Sequence, residues 1–152
     1  MQCEAERQNF DILVFDTMFC ESILRRGTIS CGFKKWGTLF SAWTKDAWLI
    51  PINDSCHWTL LVVLPKEKVM IYFDSLHGNP NNIIMNGILI FIELKLNVTW
   101  NDWTLFMPND IPSQVTVGLD GSTNVRGNCG FHICSWTYII ATGRMERKKY
   151  EL

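Results

Sequence analysis

A cysteine stands where a polar turn gives way to a long apolar segment. Asn128 precedes Cys129, and Gly130 leads into apolar residues that continue to Ile140. Asn is a good N-cap, so this pattern predicts a helix that begins at Cys129. The first turn of a helix has unpaired backbone N–H groups and the positive end of the dipole, which together favour the thiolate nucleophile. Because most free cysteines are small buried hydrophobes, the neighbouring residues must decide between the two interpretations.

A nucleophilic thiol needs a base, and the chain has three histidines, His57, His77 and His132. His132 lies one turn after Cys129 on the same predicted helix, so its ring projects along the helix face, and His77 lies in a turn. His57 opens a predicted strand, and Asp74 closes the next strand, which brings both to one end of a sheet. There a carboxylate can hold the imidazole in the tautomer that accepts the thiol proton. A capping histidine and a turn aspartate would give the same spacing without chemistry.

Periodicity predicts the elements that would position these residues, in one α+β domain. Strands are expected at Ile12–Phe15, Ala47–Ile52, His57–Leu64, Val69–Phe73 and Trp103–Phe106. A helix capped by Asp16 or Thr17, with Met18, Phe19, Ile23 and Leu24 on its apolar side, and a second over Phe33–Trp43 are also expected. Residues 82–96 are compatible with a helix or a strand, and their length favours a helix. Residues 108–128, in which only Val115–Val117 is strand-like, are expected to form an extended loop that delivers Cys129.

Bulk composition narrows the classes of function. The 152 residues are 47% hydrophobic, with a net charge of −1 and no basic block, which argues against a nucleic-acid partner. The polar N-terminus does not resemble a signal peptide, and no apolar run is long enough to span a membrane. The six cysteines lack the pattern of a disulfide scaffold. We therefore expect a monomeric intracellular protein, nuclear or cytoplasmic, with no cofactor.

Several motifs in order along the chain resemble the SUMO-specific cysteine proteases of the Ulp/SENP family. They are Ile50-Pro51-Ile52, His57-Trp58-Thr59-Leu60, Tyr72-Phe73-Asp74-Ser75-Leu76 and Asn128-Cys129-Gly130-Phe131. The segments Val14–Phe19, Trp103–Phe106 and Ile111–Gln114 resemble further parts of the family. The resemblance implies a papain-like cysteine protease fold of the Ulp/SENP type, with a central mixed or antiparallel sheet flanked by helices. It also implies one catalytic domain over residues 1–152, truncated at both ends relative to the family.

The same resemblance implies a role for each matching residue. Cys129 would be the nucleophile, His57 the general base and acid, and Asp74 the residue that orients His57. Gln114 would donate from its side chain to the oxyanion, together with the backbone N–H of Cys129. Trp58 would cover a narrow channel for the Gly-Gly tail of a ubiquitin-like modifier, SUMO or a relative. The implied reaction is hydrolysis of the peptide or isopeptide bond after that tail, through a thioester.

Departures from the family pattern keep a second function open, a pseudo-protease that binds a ubiquitin-like protein without cleaving it. Asn128 replaces the family's aspartate, and Gln114 lies fifteen residues before Cys129 instead of a few. Residues 115–126 could loop out and leave Gln114 in place, Asn124 could be the donor, or the donor could be absent. Loss of one oxyanion donor lowers the rate by about 10²–10³-fold. The sequence does not identify the modifier.

A zinc site is the third and weakest alternative. It would use Cys129, His132 and Cys134 with the pair Cys56-His57, but Cys-x-x-His-x-Cys is not a standard zinc spacing. We therefore expect no metal, and we expect buried thiols at Cys20, Cys31 and Cys134. Six tryptophans are expected to anchor the core or the sheet: Trp36, Trp43, Trp48, Trp100, Trp103 and Trp136.

Overall fold

The fold is organised around a five-stranded mixed sheet. The structure, a computed structural model, describes residues 11–26, 44–96 and 99–144. The strand order is β1-β2-β3-β4-β5, with β1 parallel to β2, β4 parallel to β5, and the central pairs antiparallel. The strands are β1 Ile12–Val14, β2 Ala47–Asp54, β3 His57–Leu64, β4 Val69–Phe73 and β5 Thr104–Phe106. The predicted α+β class and central mixed sheet are confirmed.

Helices cover both faces of this sheet. They are α1 Met18–Arg26, α2 Asn82–Leu96 and α3 Cys129–Ala141, and a 3₁₀ helix spans Trp100–Asp102. Residues of α1 and α2 pack on one face in a cluster that includes Phe19, Ile88 and Trp48. On the other face, Trp136 and Ile140 of α3 pack with the alternate residues of β2, β3 and β4. Burial on both faces explains why β3 and β4 are nearly continuous apolar runs.

Residues 82–96, for which the sequence allowed a helix or a strand, form helix α2. Its buried residues recur with a helical period: Ile84, Met85, Ile88, Phe91 and Ile92. Asn81 caps this helix, because its Oδ1 accepts a hydrogen bond from the backbone N–H of Ile83 at 2.9 Å. The preference for a helix is therefore confirmed.

The first helix is confirmed in place but not in its apolar face. Asp16 Oδ1 accepts from Met18 N at 2.8 Å, as expected of the cap, and Phe19 and Ile23 are buried. Met18 and Leu24 were also assigned to this face, which is wrong, since they are 53% and 37% exposed. The helix is only partly turned toward the sheet, and Cys20 takes the buried position instead. The helix predicted over residues 33–43 lies outside the described residues.

A proline inside a strand such as Pro51 indicates a sheet edge or a bulge, and the register places Pro51 at an edge. Strand β1 pairs with β2 over Ala47–Leu49 and ends there. Pro51 lies beyond that stretch, where β2 has β3 as its neighbour on one side and, among the described residues, no strand on the other. A residue without an N–H group is tolerated at such a position.

The extended loop expected over residues 108–128 contains a hairpin that the sequence analysis missed. Strands β6 Val115–Val117 and β7 Thr123–Val125 pair antiparallel, with Val115 opposite Val125. Their side chains are mostly exposed, so the hairpin leaves almost no core pattern in the sequence. The prediction of an irregular loop here is therefore wrong in part, because β7 was not expected.

Candidate active site

His57 and Asp74 meet at one end of the central sheet. His57 begins β3, Asp74 follows the last residue of β4, and the two strands are antiparallel neighbours. The imidazole Nε2 lies 2.6 Å from Asp74 Oδ1. This places the two side chains in the contact that the hairpin argument predicted from their spacing.

The carboxylate of Asp74 is held by backbone groups of the turn that follows it. Leu76 N donates to Oδ1 at 2.8 Å, and Gly78 N donates to Oδ2 at 3.0 Å. Asp74 is only 6% exposed, so its orientation is set by these bonds and not by solvent. A Cβ atom at Gly78 would lie 2.9 Å from Asp74 Oδ2, which explains why a glycine suits this position.

The Asp74 contact defines which imidazole nitrogen can receive a proton. Nε2 is engaged with the carboxylate, and a carboxylate accepts a hydrogen, so Nε2 carries it. Nδ1 of the neutral ring is then an acceptor, and it makes no hydrogen bond within the described residues. This is the arrangement that a base for a thiol requires.

Tyr72 and Thr59 lie beneath this pair on the same face of the sheet. Burial raises the pKa of Tyr72, the hydrogen bond with Thr59 opposes that rise, and the carboxylates of Asp74 and Asp54 add to it. The phenol therefore stays neutral beside the site, and it does not supply a second base near neutral pH.

Gln114 is anchored to the residue that follows Asp74. Gln114 N donates to Ser75 O at 3.0 Å, and the hydroxyl of Ser75 donates to Gln114 Oε1 at 2.8 Å. Both side chains are buried, and Ser113 Oγ also donates to Ser75 O at 3.2 Å. Because Oε1 accepts from Ser75, the amide group Nε2 remains as a donor directed elsewhere. The sequence analysis missed Ser75 as the residue that orients Gln114, although it lies inside a quoted motif.

The β6–β7 hairpin accounts for the long spacing between Gln114 and Cys129. Arg126 N donates to Gln114 O at 3.1 Å, so the chain leaves at Gln114 and returns to the same place. From Arg126, three residues reach Cys129, a span of at most about 10 Å. Residues 115–126 thus loop out from the chain, as in the first of the three alternatives for the oxyanion donor. Asn124 lies on the exposed hairpin, beside Thr116.

Helix α3 begins at Cys129, as predicted, but its cap differs from the expectation. Asn128 is the N-cap residue, with φ −115° and ψ 20°, and its side chain makes no capping hydrogen bond. The Asn128 Oδ1 atom is buried with no hydrogen-bond partner in the described part of the chain. Instead, the Asn128 carbonyl accepts from Phe131 N and His132 N, as a helix start requires.

The N–H groups of Cys129 and Gly130 donate to no acceptor within the described residues. They are therefore available to an anion formed near the thiol. A Cβ atom at Gly130 would meet no other atom within 4 Å, so the space beside Cys129 is open. Cys129 is partly exposed, as a nucleophile must be.

The structure describes three further residues that the sequence singled out: Trp58, Cys20 and Cys134. Trp58 is half-buried on β3, opposite Asn53. Cys20 is a buried thiol, and burial raises its pKa to about 12, so it is a poor nucleophile. Cys134 was expected to be buried and is exposed, because its position on α3 faces away from the sheet. Cys31 lies outside the described residues.

Trp48 and Trp136 are buried, and Trp103 packs against the core in a partly buried position. Of the other tryptophans assigned to the core, Trp36 and Trp43 lie outside the described residues, and the Trp100 side chain does as well. Among the histidines not assigned to the triad, His132 is buried against Trp136, with ring centroids 5.5 Å apart, and His77 is exposed.

The described residues hold neither a cluster of metal ligands nor a membrane-spanning helix. Within residues 11–26, 44–96 and 99–144, no group of three or more His, Cys, Asp or Glu side chains could hold a metal ion. No helix in that part of the chain is both long and apolar enough to cross a membrane.

The sequence of this chain matches a family model and curated proteins. Residues 2–114 match the model of the Ulp1 protease family, C-terminal catalytic domain. The matched range contains His57, Asp74 and Gln114 and ends before Cys129. Among curated proteins, a sentrin-specific protease of Caenorhabditis elegans is 26% identical over 162 residues, which cover 97% of this chain and 22% of that protein. Human sentrin-specific protease 2 is 27% identical over 90% of this chain and 23% of its own length.

Solved structures share this fold over most of the chain. The C-terminal protease domain of yeast Ulp1, crystallised in complex with Smt3, the yeast ortholog of SUMO, superposes with a TM-score of 0.66 at 23% identity. That match covers 91% of this chain and 60% of the other. The Ulp1-like SUMO protease catalytic domain of Chaetomium thermophilum gives a TM-score of 0.60 at 22% identity, over 86% of this chain and 50% of that one. The chain thus spans about a fifth of the curated relatives and half or more of the solved domains. On the family match and the shared fold, the chain belongs to the Ulp1/SENP family of SUMO-specific cysteine proteases.

Proposed function

We propose that this chain is a cysteine protease that hydrolyses the peptide or isopeptide bond after the Gly-Gly tail of a ubiquitin-like modifier. The observation that carries the proposal is the 2.6 Å contact between His57 Nε2 and Asp74 Oδ1, with Asp74 fixed by two backbone N–H groups. This contact leaves Nδ1 of His57 to accept a proton. A histidine that only caps a strand would not need a contact with a carboxylate.

The reaction follows from the roles of these groups. The Cys129 thiol gives its proton to His57 Nδ1, and its sulfur attacks the carbonyl carbon of the second glycine of the tail. Gln114 Nε2 and the free N–H groups at the start of α3 stabilise the oxyanion. His57 returns the proton to the leaving amine, and a thioester remains on Cys129. Water, deprotonated by His57, then hydrolyses the thioester and releases the modifier.

Trp58 and Gly130 support the choice of a Gly-Gly tail as substrate. Trp58 follows His57 directly and is half-buried, and the space beside Gly130 is open. A channel bounded by an indole admits a chain without side chains more readily than any other. The modifier itself, SUMO or a relative, is left to the experiment.

The test is covalent labelling by modifiers that carry an electrophile at the C-terminus, with SUMO and ubiquitin assayed separately. We expect one adduct, lost in Cys129→Ala and retained in Cys134→Ala. Cys134 is the matched control, since it is an exposed thiol on the same helix. A folded protein that forms no adduct with any probe would overturn the proposal. Modifier binding measured in those same samples would then favour the pseudo-protease.

A further inference from the structure

The hairpin that presents His57 ends in a strained turn. Strands β2 and β3 pair as far as Asp54 opposite His57, which leaves a two-residue loop of Ser55 and Cys56. Both loop residues have positive φ, 52° and 66°. Two-residue hairpin loops of this kind favour Asn-Gly, and residues with a Cβ adopt the conformation at a cost. Such a turn persists only where surrounding contacts hold it.

Ile52 of this hairpin shares a buried apolar cluster with Ile84 and Met85 of α2, but the polar end of the hairpin faces a cavity. A cavity of about 90 Å³ separates it from the start of α2. Asp54, His57, Tyr72 and Asp74 line the cavity on the side of the sheet, and Pro80 and Asn81 line it on the side of the helix. Because a cavity supplies no contacts across it, a hydrogen bond at its edge is what can fix Asp54 and His57 relative to the start of α2.

Asn81 makes a hydrogen bond that joins the two sides of this cavity at its edge. Its Nδ2 donates to Asp54 Oδ2 at 2.8 Å, over 27 positions of sequence. Its Oδ1 accepts from Ile83 N at 2.9 Å and more weakly from Ile84 N at 3.4 Å. The helix cap therefore fixes which way the amide points, and the NH₂ group is directed at Asp54.

We propose that Asn81 is a positioning residue that holds His57 in contact with Asp74 by fixing Asp54, the residue opposite His57 in the hairpin. The part of this proposal that concerns the rate of cleavage rests on the proposed function. Asp74 is fixed by its own turn through Leu76 and Gly78, whereas the hairpin that bears His57 contacts α2 across a cavity. Release of Asp54 therefore moves His57 relative to Asp74, and a displacement of about 1 Å lowers the rate by up to about 10²-fold.

The experiment replaces the donor without removing the cap. In Asn81→Asp, a carboxylate still accepts from Ile83 N but now faces the carboxylate of Asp54. We expect kcat on a fluorogenic modifier substrate to fall about tenfold with KM changed less than twofold, because the change acts on the position of the base His57. The double variant Asp54→Asn/Asn81→Asp restores the hydrogen bond with donor and acceptor exchanged, and we expect kcat within about threefold of the original. Asn82→Asp is the control, since it makes the same change on an exposed neighbour.

A second readout does not require cleavage. The proton on His57 Nε2 in a 2.6 Å bond to a carboxylate gives a far-downfield proton NMR resonance, assigned by its loss in His57→Ala. We expect this resonance to weaken or shift in Asn81→Asp, to recover in the exchanged pair, and to stay in Asn82→Asp. An unchanged resonance in a folded Asn81→Asp protein, or no recovery in the exchanged pair, would overturn the positioning role. If no modifier is cleaved by the original chain, the proposed function fails while the resonance still decides this inference.

Discussion

The two halves of the candidate site are built in different ways. The half that carries His57 and Asp74 lies at the end of a sheet whose central strands are almost fully buried. The half that carries Cys129 follows an exposed hairpin, in which Leu119 and Val117 are open to solvent. Asp74 accepts two backbone hydrogen bonds, whereas the Asn128 side chain beside Cys129 makes none within the described residues.

This difference shows which contacts fix the positions of the side chains in each half. Strand register places His57 and Asp74, so the core stabilises their geometry directly. Helix α3 packs on the sheet through Trp136 and Ile140, and the segment that leads into it is joined to the base half at a seam of three residues, Ser75, Gln114 and Arg126. We infer that changes at the base half alter the chemistry of His57, while changes at the seam alter the stabilisation of the oxyanion.

The largest effect is expected from removal of the buried carboxylate. Asp74→Ala leaves the His57 ring and two backbone N–H groups without their acceptor. We expect kcat/KM for modifier cleavage to fall by on the order of 10²–10⁴-fold, the usual contribution of a correctly held base. The matched control is Asp120→Ala on the exposed hairpin, which should leave the rate unchanged. A folded Asp74→Ala protein with full activity would contradict the division between the two halves.

The next effect is expected at the seam. Gln114→Ala removes the side-chain donor but keeps the backbone bonds to Ser75 and Arg126. We expect kcat to fall by about 10²–10³-fold, as for other oxyanion donors, with the His57 downfield resonance intact. Asn124→Ala tests the alternative donor in the same assay, and we expect no change. If Asn124→Ala lowers kcat and Gln114→Ala does not, the assignment of the donor must be exchanged.

The smallest of these effects is expected from one added methyl group behind Asp74. Gly78→Ala places a Cβ 2.9 Å from Asp74 Oδ2 and weakens the bond from its own N–H. We expect a loss of about tenfold in kcat, equivalent to about 1.4 kcal/mol in the activation barrier. Gly127→Ala is the control on the nucleophile side, because a Cβ there meets no atom within 4 Å. Equal losses in the two variants would remove the distinction between a confined half and an open half.

The local patterns that were predicted correctly are those in which burial repeats along the chain. Strands β2, β3 and β4 were expected because apolar residues run continuously through them, and the core covers both of their faces. The start of α3 at Cys129 was expected from a polar residue before an apolar run. The hairpin after Gln114 was missed because its exposed side chains leave no such repeat.

The sequence by itself determined the fold class, the family and the pairing of His57 with Asp74. These depend on periodicity, on motifs in order and on a short hairpin, all of which are local. The tertiary structure alone decided that Gln114 packs on Ser75 and that Arg126 returns to Gln114. It also decided that Asn81 reaches Asp54 across a cavity. Each of these hydrogen bonds joins residues that no local pattern relates, because a side-chain bond across a fold depends on how separate elements pack and not on spacing along the chain.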